Sequence, residues 1–185
     1  IASFSTSAVL LSLFVWWQIK TQYPMLDLAL FKSKVFSMGT SARFINFLAI
    51  SSIAFLIPFY IINVMDYSPA KAGLVMVPGA MCMALLGPIS GRLSDLFGSR
   101  YVSTAGQIFA ILAVLTFSQL SLDSSPYIVL IGLILAGTGA GLFNPSNNVT
   151  ILSNQDQSRF GIVVALSNVI RTTANVSGIA IATTI

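Results

Sequence analysis

The chain has 185 residues, 56% of them hydrophobic and only 8% charged, with a formal net charge of +4. Its mean hydropathy is +0.89, and soluble domains run near a quarter charged, so a soluble globular domain is excluded. The basic excess sits in short stretches between apolar runs of about 20 residues, the length that crosses a bilayer, so it reports topology rather than nucleic-acid binding.

The spacing predicts an all-α membrane protein of about six transmembrane helices. The first covers about 1–19 and is closed by Trp16, Trp17 and Lys20, the composition of an interfacial belt. A connecting stretch with Pro24, Asp27, Lys32 and Lys34 follows. Within it, the leucines of 25–31 (MLDLALF) have the spacing of a short helix lying on the membrane surface. The second helix, about 36–63, is longer than a perpendicular crossing needs, so tilt or a kink at Pro58 is expected. A turn at 65–69 (MDYSP) leads to the third, about 70–89, where Gly73, Ala80, Ala84, Gly87 and Gly91 form one small-residue stripe suited to close helix approach.

The stretch 87–100 (GPISGRLSDLFGSR) gathers Arg92, Asp95 and Arg100 between two apolar runs and reads as a charged hairpin. Asp95 lies just ahead of the next helix, whose amino end favours a carboxylate. Gly98 can supply the positive φ of a tight turn. The fourth helix spans about 101–120 and the fifth about 127–149, with Gly137-x-x-x-Gly141 inside it as a packing motif. The sixth starts near Gly161 and runs to the end of the chain. Both chain ends fall in apolar segments and no secretory signal is recognisable, which reads as a piece of a longer membrane protein. Cys82 is the single cysteine, so no internal disulfide forms.

Lys20, Lys32, Lys34, Arg92, Arg100 and Arg159 fall on one side of this topology and Lys71 on the other. The positive-inside rule makes the first side cytoplasmic. The protein is thus expected to be a multi-pass protein of the cell (inner) membrane, with 20–35, 92–100 and 151–160 facing the cytosol.

There is no histidine among the 185 residues, and none of the five carboxylates is expected within a helix interior. A catalytic triad, a paired-carboxylate site or a metal cluster cannot be assembled from such residues. The reading is therefore not an enzyme, with no cofactor and no metal. Polar side chains within the apolar helices carry the interest instead. Asn168, Arg171, Thr172 and Asn175 recur at the spacing of one helical face. Arg171 is ten residues past Gly161, about 15 Å into the bilayer, where exposure to lipid costs about 2.5–3.5 kcal/mol. That face should line a wet cavity or a protein interior, with Arg171 touching substrate, touching a carboxylate from elsewhere, or tying helices together. Arg43 and Asn46 form a weaker pair near the cytoplasmic end of the second helix, where Arg43 is shallow enough to snorkel. Asn144, Asn147 and Asn148 either face the same cavity or cap the fifth helix.

Gly91-Arg-Leu93-Ser-Asp95-Leu-Phe-Gly98-Ser-Arg100 resembles the G-x-L-[AS]-D-[RK]-x-G-x-[RK] motif of the major facilitator superfamily, with Leu96 standing where a basic residue is usual. The run from Pro24 to Phe31 and the run from Ser68 through Gly73 to Pro78 resemble segments of that superfamily's fourteen-helix drug:proton antiporters. So does Gly161 followed by Arg171 and Gly178. The resemblance implies a major facilitator helical bundle in part. Residues 1–35 would be an extra transmembrane helix with its cytoplasmic connection, and 36–185 the carboxyl-terminal transporter half short of its last helix.

It further implies secondary active transport by alternating access, with multidrug or lipophilic-compound efflux in exchange for protons. The implied partners are a small hydrophobic or cationic substrate, the proton as coupling ion, the lipid bilayer and the amino-terminal half of the same protein. Gly91, Leu93, Asp95, Gly98 and Arg100 would be the conformational latch. Arg43, Asn46, Asn144, Asn168, Arg171, Thr172 and Asn175 are the candidate cavity-lining residues. A same-fold carrier of a specific nutrient or metabolite, and a non-transporting membrane scaffold, are the alternative readings.

Overall fold

The computed structural model describes residues 28–153, 155 and 159–184; the first predicted helix, and most of the connecting stretch after it, lie outside the described residues. A short 3-10 helix (Leu28–Lys32) precedes five α-helices: α1 (Lys34–Asn63), α2 (Pro69–Phe97), α3 (Ser99–Phe117), α4 (Pro126–Leu152) and α5 (Phe160–Ala182). All five are long and apolar enough to cross a membrane. Proline opens α2 and α4 at their first turn, where its missing N–H costs nothing and its fixed φ suits the helix. Ser68 caps α2 by accepting the Lys71 amide at 3.4 Å, and Ser33 caps α1 through the Phe36 amide at 3.5 Å.

The helices alternate in direction, and their ends meet in two apolar clusters. At one end Leu30, Phe36, Ile151, Val163 and Leu166 pack together; at the other Ile57, Ile61, Ala72, Val129 and Leu133 do so. Lys32 and Lys34 flank Leu30 and Phe36, and Arg92, Arg100 and Arg159 sit at helix ends of the same sense, so the first end is the basic, cytoplasmic one by loop charge. Lys71 lies at the opposite end, its ammonium 3.6 Å from the Tyr67 ring centroid.

Helix α4 is the centre of the bundle, flanked by α2 and α3 along its length. Its glycines explain how. Gly137 and Gly141 are four apart and share a face; Gly139 lies between them on the opposite one. A Cβ at Gly137 would overlap the Gly79 carbonyl of α2, and one at Gly141 would stand 3.0 Å from the Met83 carbonyl. On the other side a Cβ at Gly139 would be 2.9 Å from the Gly106 carbonyl of α3. Within hydrocarbon, helices associate through such close packing rather than by expelling water. The Gly137-x-x-x-Gly141 packing expectation thus holds, with Gly139 serving a second partner.

A separate pair is formed by α1 and α5. Gly178 abuts the Leu48 carbonyl, Ser52 donates to the Gly178 carbonyl at 2.9 Å, and Ser51 donates to Asn175 Oδ1 at 2.5 Å. Helices α4 and α5 barely touch, and a cavity opens between them.

Three expectations change. The charged hairpin is not a loop: α2 continues to Phe97 and α3 begins at Ser99, leaving Gly98 (φ 89°) as the joint. Asp95 therefore lies in the last turn of α2, not in a turn before α3. The small-residue stripe of Gly73, Gly87 and Gly91 meets nothing within 4 Å of a Cβ among the described residues; α2 packs instead through Ala72, Gly79, Ser90 and Ser94. The stretch proposed as a surface helix is, over its described part, a single 3-10 turn that buries Leu30 under the ends of α1, α4 and α5.

Candidate functional site

The cavity between α1, α4 and α5 encloses about 530 Å³, within the range of small-molecule sites. Arg43 and Phe47 of α1, Asn144 and Asn148 of α4, and Asn168 and Arg171 of α5 line it, with Met83 of α2 closing one side. Ile151, Leu152, Val163 and Val164 supply apolar wall toward the basic end.

Arg43 is 4% exposed, which corrects the snorkelling expectation. Its side chain turns inward because α4 offers two amide oxygens one residue apart. Arg43 Nε donates to Asn147 Oδ1 at 3.0 Å, and Nη2 donates to Asn148 Oδ1. Asn147 in turn donates from Nδ2 to the Gly39 carbonyl at 3.2 Å. A guanidinium inside a bundle needs such partners, since an unpaired charge in hydrocarbon costs several kcal/mol. The asparagines of α4 therefore neither merely cap the helix nor all face the cavity: Asn147 is a buried strut, and Asn144 and Asn148 reach the cavity wall.

Arg171 stands across the cavity on α5, exposed, with its guanidinium carbon 6.0 Å from the Phe47 ring centroid. Asn168 joins it on the wall, one turn back. Thr172 and Asn175 share the same face by period, yet neither lines the cavity: Thr172 is exposed, and Asn175 is held by Ser51. Asn46 is likewise turned away. It donates to Gln107 Oε1 of α3 at 2.5 Å, and Gln107 donates to the Ala42 carbonyl at 3.3 Å. Gln107 was missed in the sequence, although a lone amide inside an apolar helix is the same kind of signal as Arg171. Asn46 Oδ1 and Asn144 Oδ1 are buried without a hydrogen-bond partner among the described residues.

The motif at 91–100 divides in two. Asp95 and Arg100 are exposed, and among the described residues no ion pair closes on Asp95. Leu96 beside it is 77% exposed. Gly91 is half-buried with open space at its Cβ position, and Leu93 lines an apolar groove with Phe97, Tyr101 and Leu142. What anchors the motif is its serine. Ser90 Oγ donates to the Leu142 carbonyl at 2.8 Å, and Ser146 Oγ lies 2.7 Å from Ser90 Oγ and 2.8 Å from Ser94 Oγ. Each hydroxyl has one proton, so the chain runs from Ser94 to Ser146 to Ser90 to Leu142. It sits beside Pro145, whose ring disturbs the carbonyls one turn back in α4.

The described residues form a bundle of apolar, membrane-length helices with a polar cavity between α1, α4 and α5. Residues 3–179 match the family model of the Major Facilitator Superfamily, and the chain belongs to that family. Members of this family are multi-pass membrane proteins, transporters rather than enzymes, and this chain is a multi-pass protein of the cell (inner) membrane.

The chain is 30% identical over 156 residues to the riboflavin transporter RibZ of Clostridioides difficile, covering 84% of this chain and 34% of that protein. It is 32% identical over 131 residues to the lincomycin resistance protein LmrB of Listeria innocua, covering 71% of this chain and 28% of that one. Over 178 residues it is 28% identical to the multidrug resistance protein Stp of Mycobacterium tuberculosis, covering 95% of this chain and 33% of that protein. It thus spans about a third of the length of the curated relatives it matches.

Proposed function

We propose that this chain is the carboxyl-terminal half of an exporter of small lipophilic compounds, with 1–35 as an extra helix and its connection and 36–185 as the transporter half. The observation that carries the reading is the cavity of about 530 Å³ with Arg43 and Arg171 on its wall, in a chain similar to drug-resistance proteins. Alternating access would move substrate between the two faces of the membrane. The described carboxylates, Asp66, Asp95 and Asp123, all lie at helix ends or turns, so proton coupling would draw its titratable groups from the rest of the transporter. Gly91, Leu93, Asp95, Gly98 and Arg100 would act as the latch, with Ser94 fastening it to α4 and Asp95 left free to meet a partner when the cytoplasmic side closes.

The test is energised efflux of lipophilic compounds by the full-length protein in everted vesicles, wild type against Asp95→Asn. The expected result is efflux reduced by about tenfold, equivalent to about 1.4 kcal/mol in the conformational balance, with insertion and thermal stability unchanged. Wild-type rates in a properly inserted mutant would remove the latch from the account. The similarity to a riboflavin transporter favours a second reading, a carrier for one defined metabolite. Competition assays separate the two: an exporter of broad range is inhibited by many unrelated lipophilic compounds, a dedicated carrier by one family of analogues.

A further inference from the structure

We propose that the cavity selects amphiphilic anions: compounds with an aromatic or apolar body and a carboxylate, phenolate or ionised imide. This deepens the transporter reading of the same cavity and rests on it. The sequence alone left cationic substrates open, and the geometry argues against them here.

Two guanidiniums, Arg43 and Arg171, face one cavity, and no carboxylate among the described residues lines it. Like charges sharing a low-dielectric space repel, and an anion between them relieves that repulsion while a cation adds to it. The hydrogen-bond polarity of the wall points the same way. Arg43 occupies the Oδ1 acceptors of both Asn147 and Asn148. Asn147 Nδ2 is used on the Gly39 carbonyl, whereas Asn148 Nδ2 and Arg43 Nη1 have no acceptor among the described residues. The side-chain acceptors still free on the wall are Asn144 Oδ1, which is buried, Asn168 Oδ1 and Ser167 Oγ, and the N–H groups of Arg43, Arg171 and the asparagine amides outnumber them. An anion accepts from amide and guanidinium N–H groups, and guanidinium matches a carboxylate through paired bonds.

The body of the ligand follows from the rest of the lining. Phe47 and Met83 flank the arginines, and Ile151, Leu152 and Val163 continue the wall toward the basic end. Phe47 already carries the Arg171 guanidinium near its ring, so a planar aromatic body can enter that stack. Arg43 is positioned by α4 and sets the fixed pole of the site. Arg171, exposed and held by no hydrogen bond among the described residues, is the group free to close on the ligand's charge.

The experiment measures equilibrium binding to the purified full-length protein by fluorescence anisotropy. Two dyes with the same xanthene body are compared, ionised fluorescein and a cationic rhodamine. Wild-type protein is expected to bind fluorescein at least about tenfold tighter than the rhodamine. Arg171→Gln is expected to weaken fluorescein by about tenfold without weakening the rhodamine, and Arg171→Lys to recover most of the loss. Arg171 is exposed and makes no hydrogen bond among the described residues, so its variants leave the packing untouched, whereas Arg43 substitutions also remove its bonds to Asn147 and Asn148. Equal or tighter rhodamine binding, or binding of neither dye, overturns the proposal. An unchanged preference in Arg171→Gln overturns it too, and assigns that guanidinium to a carboxylate elsewhere in the transporter. Transport is read separately in everted vesicles: fluorescein bound but never moved sinks the transporter reading and leaves the charge preference standing.

Discussion

The two sides of this bundle are fastened by different chemistry. Helices α2, α3 and α4 meet backbone to backbone, with Gly79, Gly106, Gly137, Gly139 and Gly141 leaving no room for a single extra carbon. Between α1 and the helices α3 and α4 the principal ties are polar side chains, Arg43 to Asn147 and Asn148 and Asn46 to Gln107, whereas α1 meets α5 closely where Gly178 abuts the Leu48 carbonyl. Close backbone contact has one geometry and no tolerance. Side-chain hydrogen bonds can be exchanged for water or ligand as helices tilt, so the cavity lies where the bundle is tied by exchangeable bonds.

That contrast breaks first at the glycines. Gly137→Ala, whose new Cβ would overlap the Gly79 carbonyl, is expected to lower the thermal stability of the detergent-solubilised protein by about 3 kcal/mol or more, or to prevent folding. Gly73→Ala on the open stripe should not destabilise in the same assay, and should raise stability by up to about 1 kcal/mol through helix propensity. Equal effects would mean that packing of α4 does not distinguish the two sides. Next comes Arg43→Ala, which strands two amide oxygens on α4 and should cost about 1–3 kcal/mol in the same melt. Arg43→Lys recovers part of that, because one ammonium cannot serve both oxygens from a fork. A smaller effect than that of Arg43→Ala is expected for Ser146→Ala. It cuts the hydroxyl chain between Ser94 and Ser90 and should cost about 0.6–1.7 kcal/mol, the span measured for such bonds in membranes. A larger loss for Ser146→Ala than for Arg43→Ala would reverse the assignment of the rigid and exchangeable sides.

The five described helices and their polarity were legible, because hydrocarbon thickness and loop charge act on sequence directly. The face by which α2 packs was not. Two stripes of small residues run along that helix, one through Gly73, Gly87 and Gly91 and one through Ala72, Gly79 and Ser90, and period alone treats them alike. Only the glycines of α4, far along the chain, select the second. The extent of α2 was underestimated because Arg92 and Asp95 read as loop residues, whereas charged side chains at a membrane surface sit comfortably on a helix that projects past it. Arg171 was recognisable from its depth. Arg43 was misjudged because its burial depends on Asn147 and Asn148, which no local pattern connects to it. Gln107 carried a usable signal, a single amide within α3, that went unread.

Gly98 is the only residue between the last turn of α2 and the first of α3, and consecutive Cα atoms are about 3.8 Å apart. So short a link permits almost no sliding at the basic end. Axial travel of α2 is handed on to α3, and α3 is clamped to α4 where Gly106 meets Phe143. The three helices therefore form one tightly joined unit of the bundle, which on the proposed function would be its fixed part. Distances between labels on α2, α3 and α4 should stay constant through a transport cycle, and α1 and α5 should account for the change in cavity shape.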